Sequence, residues 1–270
     1  MIISVSRRTD IPAFYSDWFM RRFKNGSVMV QNPYRPAYKR EVSLKKEDVD
    51  ALIFWSRYPE PFSCCLDMID QKNIPYYFML TINNYPGFLE PHSVDLKSIL
   101  ESIKELNKRI GQSRIIWRYD PIIISEETPV TFHKNNFQML AGLIAPFARR
   151  VIISFVDFYR KVNSRFKKIG FIPEEIREDP DKLEDLISFL MEIARNYGLE
   201  IQTCAEDISG QRISIKRGKC IDDELLNTLF GLDIKYMKDK NQRPECCCQK
   251  SVDIGAYGTC QFKCLYCYAR

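Results

Sequence analysis

The sequence ends in Cys260-Gln-Phe-Lys-Cys264-Leu-Tyr-Cys267, a C-x3-C-x2-C run. Three thiolates on one tight loop can grip three irons of a cubane [4Fe–4S] cluster, whereas a cluster that only stores or passes electrons usually takes four cysteines. An iron left open can be chelated by a small molecule carrying an amine and a carboxylate. Tyr266, just before the last cysteine, could pack beside a bound nucleoside. The competing reading is a structural zinc knuckle made of these three residues and Cys248, because zinc sites also use short cysteine spacings.

Seven further cysteines need an account. Cys204, Cys220, Cys246 and Cys248 form a second set that could close a second [4Fe–4S] cluster or a zinc site, with free thiols as a third option. Cys247 is the odd member, since alternate residues of an extended segment point the same way. Cys64 and Cys65 lie in the amphipathic stretch PFSCCLDMID and read as buried thiols acting as small apolar residues. The opening MIISVSRRTD has no basic segment followed by an apolar one, so nothing marks the chain for secretion. Clustered cysteines without such a signal point to metal or redox chemistry in a reducing compartment rather than to a disulfide framework. A soluble cytoplasmic protein is expected. No apolar run is long enough to span a bilayer.

These residues must be positioned by the rest of the chain. With 270 residues, 45% hydrophobic and 13% aromatic, it can bury one large core. Apolar runs at Ile2–Ser6, Val28–Gln31, Ala51–Trp55, Tyr76–Ile82, Arg114–Arg118, Val151–Phe155 and Glu200–Thr203 read as strands of a parallel sheet covered on both faces. Helical spacing fills the intervals. The clearest case is Lys182–Gly198, where Leu183, Leu186, Ile187, Leu190, Ile193 and Tyr197 make an apolar stripe and Gly198 stops it. Phe14–Lys24, Asp95–Ile110 and Pro129–Phe147 are similar. Repeated βα units imply right-handed crossovers, in a doubly wound sheet or a barrel. Polar residues follow all seven strands, which favours a TIM-like (β/α) barrel with its site at the carboxyl ends. Val252–Tyr257 supplies an eighth strand, after a polar loop at Met237–Lys250, and the tail cysteines become the loop that follows it. The expectation is one barrel domain over 1–270, with 237–270 as Cys-rich loop, last strand and cluster tail.

The C-x3-C-x2-C spacing, with an aromatic before the third cysteine, resembles the radical S-adenosylmethionine (SAM) superfamily motif. The resemblance implies that Cys260, Cys264 and Cys267 hold the cluster, that SAM binds the open iron, and that the reduced cluster cleaves SAM to a 5′-deoxyadenosyl radical. It also implies an electron donor such as a flavodoxin or ferredoxin. In that superfamily the loop usually follows the first barrel strand; here it closes the sequence, so a circularly permuted barrel is implied. Along its length the chain also resembles the DUF1848 family, through SVSRRTDIPAFYSDWF, QNPYRP, DALIFWSRYPEP, WRYDPI, TCAED and SVDIGAYGTCQFKCLYCYA. That family name carries no substrate.

Other residues at strand ends complete the candidate site. Arg7 and Arg8 could hold an anionic group of SAM or substrate, with Asp10 orienting one of them by a bidentate pair; a structural ion pair, with Asp10 capping the helix that starts near Pro12, is the alternative. Arg118 and Asp120 form a charged pair suited to a site. Glu206 could bind a ribose or an amine. His92 and His133 read as surface or capping residues. With two histidines no Ser/His/Asp pattern can be assembled, and no Gly-rich phosphate loop is present. The formal charge of +5 is mild, and the basic stretches at Arg35–Lys46, Arg149–Lys168 and Arg212–Lys219 are interrupted. The substrate stays open among nucleic acid, peptide and metabolite. A non-SAM iron–sulfur electron-transfer or sensor protein, and a zinc-stapled binding protein or hydrolase, are the alternative functions.

Overall fold

The computed structural model describes residues 1–33, 35, 37–206 and 214–270. Tyr34 and Pro36 of QNPYRP, and Arg212 of the last basic stretch, lie outside them. Eight strands form one sheet: β1 (Ile2–Val5), β4 (Ala51–Ser56), β5 (Tyr76–Thr81), β6 (Ile115–Ile122), β7 (Arg150–Phe155), β8 (Glu200–Thr203), β9 (Lys216–Arg217) and β10 (Val252–Asp253). Their order is β10-β1-β4-β5-β6-β7-β8-β9. Every neighbouring pair is parallel. All carboxyl ends therefore lie along one edge; from β4 to β9 each strand joins beside the one before it, while β10 joins beside β1.

Three expectations change here. The run at Val28–Gln31 is a strand, β2 (Ser27–Gln31), but it pairs antiparallel with β3 (Lys39–Ser43) in a separate hairpin. Its burial alternates, with Val28 and Val30 inside and Met29 and Gln31 outside, so one face sees water and it cannot sit in a doubly covered sheet. Asn32 thus leaves the site edge. Second, the last strand covers only Val252–Asp253 of the expected Val252–Tyr257. Third, among the described residues the edge strands β9 and β10 do not pair with each other, and the sheet is not a closed barrel. What stands is a mixed α/β fold on a parallel eight-stranded sheet.

Alternate strand residues build two layers. Ile3, Val5, Phe54, Phe78, Leu80, Trp117, Val151 and Ile153 face the crossover helices. These are α2 (Ser16–Asn25), α3 (Leu66–Gln71), α4 (Leu96–Ile110), α5 (Val130–Ile144) and α7 (Pro180–Asn196). Sequence signals set their ends. Gly26 is left-handed at the end of α2, Asp95 accepts the Ser98 N–H at the start of α4, and Asp179 caps α7 before Pro180. Tyr197 is half exposed and caps α7 instead of joining its stripe. On the opposite face, Ile2, Ile53, Trp55, Tyr77, Met79, Ile116 and Ile152 pack with Cys220, Ile221, Leu226, Cys246 and Cys248. A helix that the sequence reading passed over, α8 (Asp223–Phe230), covers this face together with the Cys-rich loop. Burial on both faces explains the continuous apolar runs.

Candidate functional site

The tail reaches the carboxyl edge through β10, whose Val252 and Asp253 lie beside Ile3 and Ser4. Asp253 is the fastening point. Its carboxylate accepts from the Ser4 and Ser6 hydroxyls at 2.9 and 2.5 Å, from Arg7 N–H at 2.8 Å and from Gly255 N–H at 2.9 Å. Gly255 is required by close approach: a Cβ there would fall 2.1 Å from Ser6 Oγ and 2.6 Å from Ser6 Cβ. Beyond it, Tyr15 donates to the Thr259 carbonyl at 2.6 Å, and Leu265 N–H donates to the Leu89 carbonyl at 2.9 Å. Arg165, on α6 (Arg160–Lys168), donates to the carbonyls of Leu265 and Cys267. Phe262 packs edge-on to Phe14 at 4.6 Å.

Cys260, Cys264 and Cys267 are thereby gathered into one packed cluster with Phe262, Tyr266 and Val162. Each sulfur lies in the electrostatic field of the others. Backbone N–H groups of Asp10 and Phe262 favour the charged form of Cys260, and those of Ala269 and Arg270 favour that of Cys267. Burial pushes the three thiols up, Cys264 to about 11. Among the described residues no three histidine, cysteine or acidic side chains converge as the ligand shell of a single ion. The chemistry of the residues suits an iron–sulfur cluster: three soft thiols within one short loop, packed together.

Tyr266 is buried, and its hydroxyl is committed inward. It donates to Glu90 and accepts from Arg57 at 2.8 Å and Asn83 at 3.2 Å. Asp10 does not pair with Arg7 or Arg8. It caps the short helix α1 (Ile11–Phe14) through Ala13 N–H and accepts from Ser56 Oγ at 2.8 Å and Arg57 N–H at 2.6 Å. The helix-cap alternative is the one realised, because those donors fill its lone pairs. Burial raises its carboxyl to about 6 against these donors. Arg8 lies 5.0 Å from the Tyr257 ring and 3.8 Å from Asp253. Arg7 donates to Ser251 Oγ at 2.9 Å. Arg118 pairs with Asp120, as expected. Arg7 and Arg118 both lie over Trp55, at 5.8 and 4.8 Å, and the Trp55 indole N–H is buried without a partner. Glu206 is buried and already engaged, by Phe155 N–H at 2.8 Å and Arg177 at 3.1 Å, which removes it as a ligand-binding carboxylate.

The second cysteine set also converges. Cys220 Sγ lies 3.2 Å from Cys204 Sγ. Cys248 N–H donates to Cys246 Sγ at 3.5 Å, and the neighbouring Cys220 and Cys246 hold the Cys248 thiol well below its ordinary value. Cys248 thus belongs to this group and not to the tail, which removes the zinc knuckle with the triad. Cys65 is buried as expected, but Cys64 is exposed. His133 is fully buried and not a surface residue; its ring joins Tyr119 and the Ile123 carbonyl. His92 is exposed. Sequence reasoning missed Asp253, Arg57, Glu90, Trp55 and Arg165. Asp253 alone left a signal, as an acid inside an apolar strand run.

No curated protein matches this chain. Among solved structures, the pneumococcal exo-beta-D-N-acetylglucosaminidase StrH, studied for inhibition of its tandem GH20 catalytic modules, is similar at 9% identity with a TM-score of 0.27. That match covers 75% of this chain, which spans about half, 52%, of the StrH chain, and at that score it carries no argument. No helix among the described residues is long and apolar enough to cross a membrane. The family model of DUF1848, a domain of unknown function, matches residues 2–269, and the chain belongs to that family.

Proposed function

We propose that this chain is a cytoplasmic radical SAM enzyme, its sheet a partial, circularly permuted (β/α) barrel. The observation that supports the reading is the gathering of all three cysteines of a C-x3-C-x2-C loop into one packed cluster, on the segment that follows β10. Cys260, Cys264 and Cys267 would hold a [4Fe–4S] cluster with one iron free for the amino-acid end of SAM. Such a cluster, once reduced, supplies the electron that splits SAM into methionine and a 5′-deoxyadenosyl radical.

The chain's own residues bind and orient. Asp253 and Gly255 fix the loop against β1, while the Arg57–Glu90 pair and Asn83 fix Tyr266 and hence the backbone between Cys264 and Cys267. Arg7 and Arg118, both over Trp55 and held by Asp239 and Asp120, would offer guanidinium donors to an anionic group. An electron donor of the flavodoxin or ferredoxin class is the expected partner.

The test is anaerobic. Iron-loaded protein given SAM and dithionite should release 5′-deoxyadenosine. Intact, reduced cluster with no release would overturn the reading and leave an electron-transfer protein.

A further inference from the structure

We propose that Cys204, Cys220, Cys246 and Cys248 bind one zinc-class divalent ion as a tetrathiolate, independent of the tail cluster. The sulfurs come from three separate segments: the end of β8, the turn after β9, and the loop covering the inner face. Such convergence in a chain without disulfides calls for a ligand, since four thiols of remote origin have no other reason to stack together.

Spacing suits one ion rather than a cubane. In the second set Cys204 and Cys220 Sγ are in contact at 3.2 Å, and Cys248 N–H reaches Cys246 Sγ at 3.5 Å. Ligand sulfurs around one tetrahedral zinc lie about 3.8 Å apart, the edge of a tetrahedron with Zn–S near 2.3 Å. A cubane spreads its thiolates much farther. The Cys220–Ile221 and Cys248–Gln249 segments lie side by side, joined by Gln249 N–H to the Ile221 carbonyl at 2.9 Å, and closing one tetrahedral shell needs the thiols to turn inward.

The surroundings suit a dianionic site. Arg7 lies in the field of Cys248, Arg118 in that of Cys204 and Cys220, and Arg243 in that of Cys204. Apolar packing by Ile2, Tyr77, Ile116 and Leu226 keeps water away. An ion here would join the Cys-rich loop to β8 and β9, closing the inner face.

Zinc and iron are counted per chain in anaerobically purified full-length protein. About one zinc is expected. Cys220→Ser and Cys248→Ser should each lower it about tenfold while the iron of the tail stays; Cys247→Ser should change neither. Iron falling in Cys220→Ser by one cluster's worth, or wild-type protein without zinc, would overturn the proposal. Should both variants fail to fold, cobalt(II) added to chelator-stripped wild-type protein gives a second readout. Thiolate-to-cobalt charge-transfer absorption supports the site, and its absence sinks it. Loss of the radical SAM reading would appear as missing iron with zinc unchanged, so the two fail separately.

Discussion

Nη2 of Arg57 lies 2.5 Å from Oε2 of Glu90, with both side chains almost wholly buried. The pair sits beneath Tyr266 and couples the β4 end to the tail loop. Removing one member strands the other charge.

Glu90→Gln should therefore cost about 3–5 kcal/mol, the range for an uncompensated buried ion. Urea unfolding measures it. The double variant Arg57→Met, Glu90→Leu should recover part of the loss; an unchanged midpoint in Glu90→Gln would refute the anchoring role.

Gly255→Ala should lift the tail off the β1 loop. The added carbon collides with Ser6, whose own hydroxyl is held by Asp253. We expect a loss of about 2 kcal/mol and rapid proteolysis between Ser251 and Arg270. Wild-type protease resistance would contradict it.

Cys264→Ala should remove iron in proportion to one cluster, whereas Cys64→Ala, at an exposed thiol, should leave iron unchanged. Equal iron in both variants would show that the tail is not a ligand set.

The buried ring of His133 predicts an acid-sensitive fold. Its Nε2 donates to the Ile123 carbonyl at 2.9 Å, which leaves Nδ1 to accept from Tyr119 at 2.8 Å. Burial lowers its pKa from 6.5 to about 4 despite the Ile123 bond, so the neutral ring belongs to the folded state. The contribution is complete above pH 6.5. It drains as pH falls from 6.5 towards 4, where only the unfolded chain takes up the proton, and the total is about 3 kcal/mol. His133→Gln should flatten stability between those pH values; an unaltered slope would show that other groups govern it.

Much of this was legible in the residues. Seven of the eight main-sheet strands were expected, five of them (β1, β4, β5, β6 and β7) from apolar runs that burial on both faces produces, whereas β8 and β10 are shorter and only partly buried. The eighth, β9, is two exposed basic residues and carries no such signal. The hairpin misled because Met29, an apolar residue facing water, hid the alternation of β2. At the site, spacing singled out the three tail cysteines, but the groups that pack the tail are spread from Tyr15 to Asp253. Arg57 and Glu90 look like ordinary loop charges until the fold buries them together. Open closure of the sheet was equally invisible, because edge pairing between two-residue strands leaves no period to read.

The pairing of β10 with β1 joins residues 249 apart, as in the bond from Ser4 to Asp253. During synthesis the first strand is therefore made long before its neighbour exists. It must wait with one edge bare while the intervening βα units assemble. The cysteine loop follows that neighbour directly, so its donors come together only when the final strand docks. A chain halted before β10 therefore has no assembled cysteine loop, so any loading of the tail proposed above would have to follow the last step of folding.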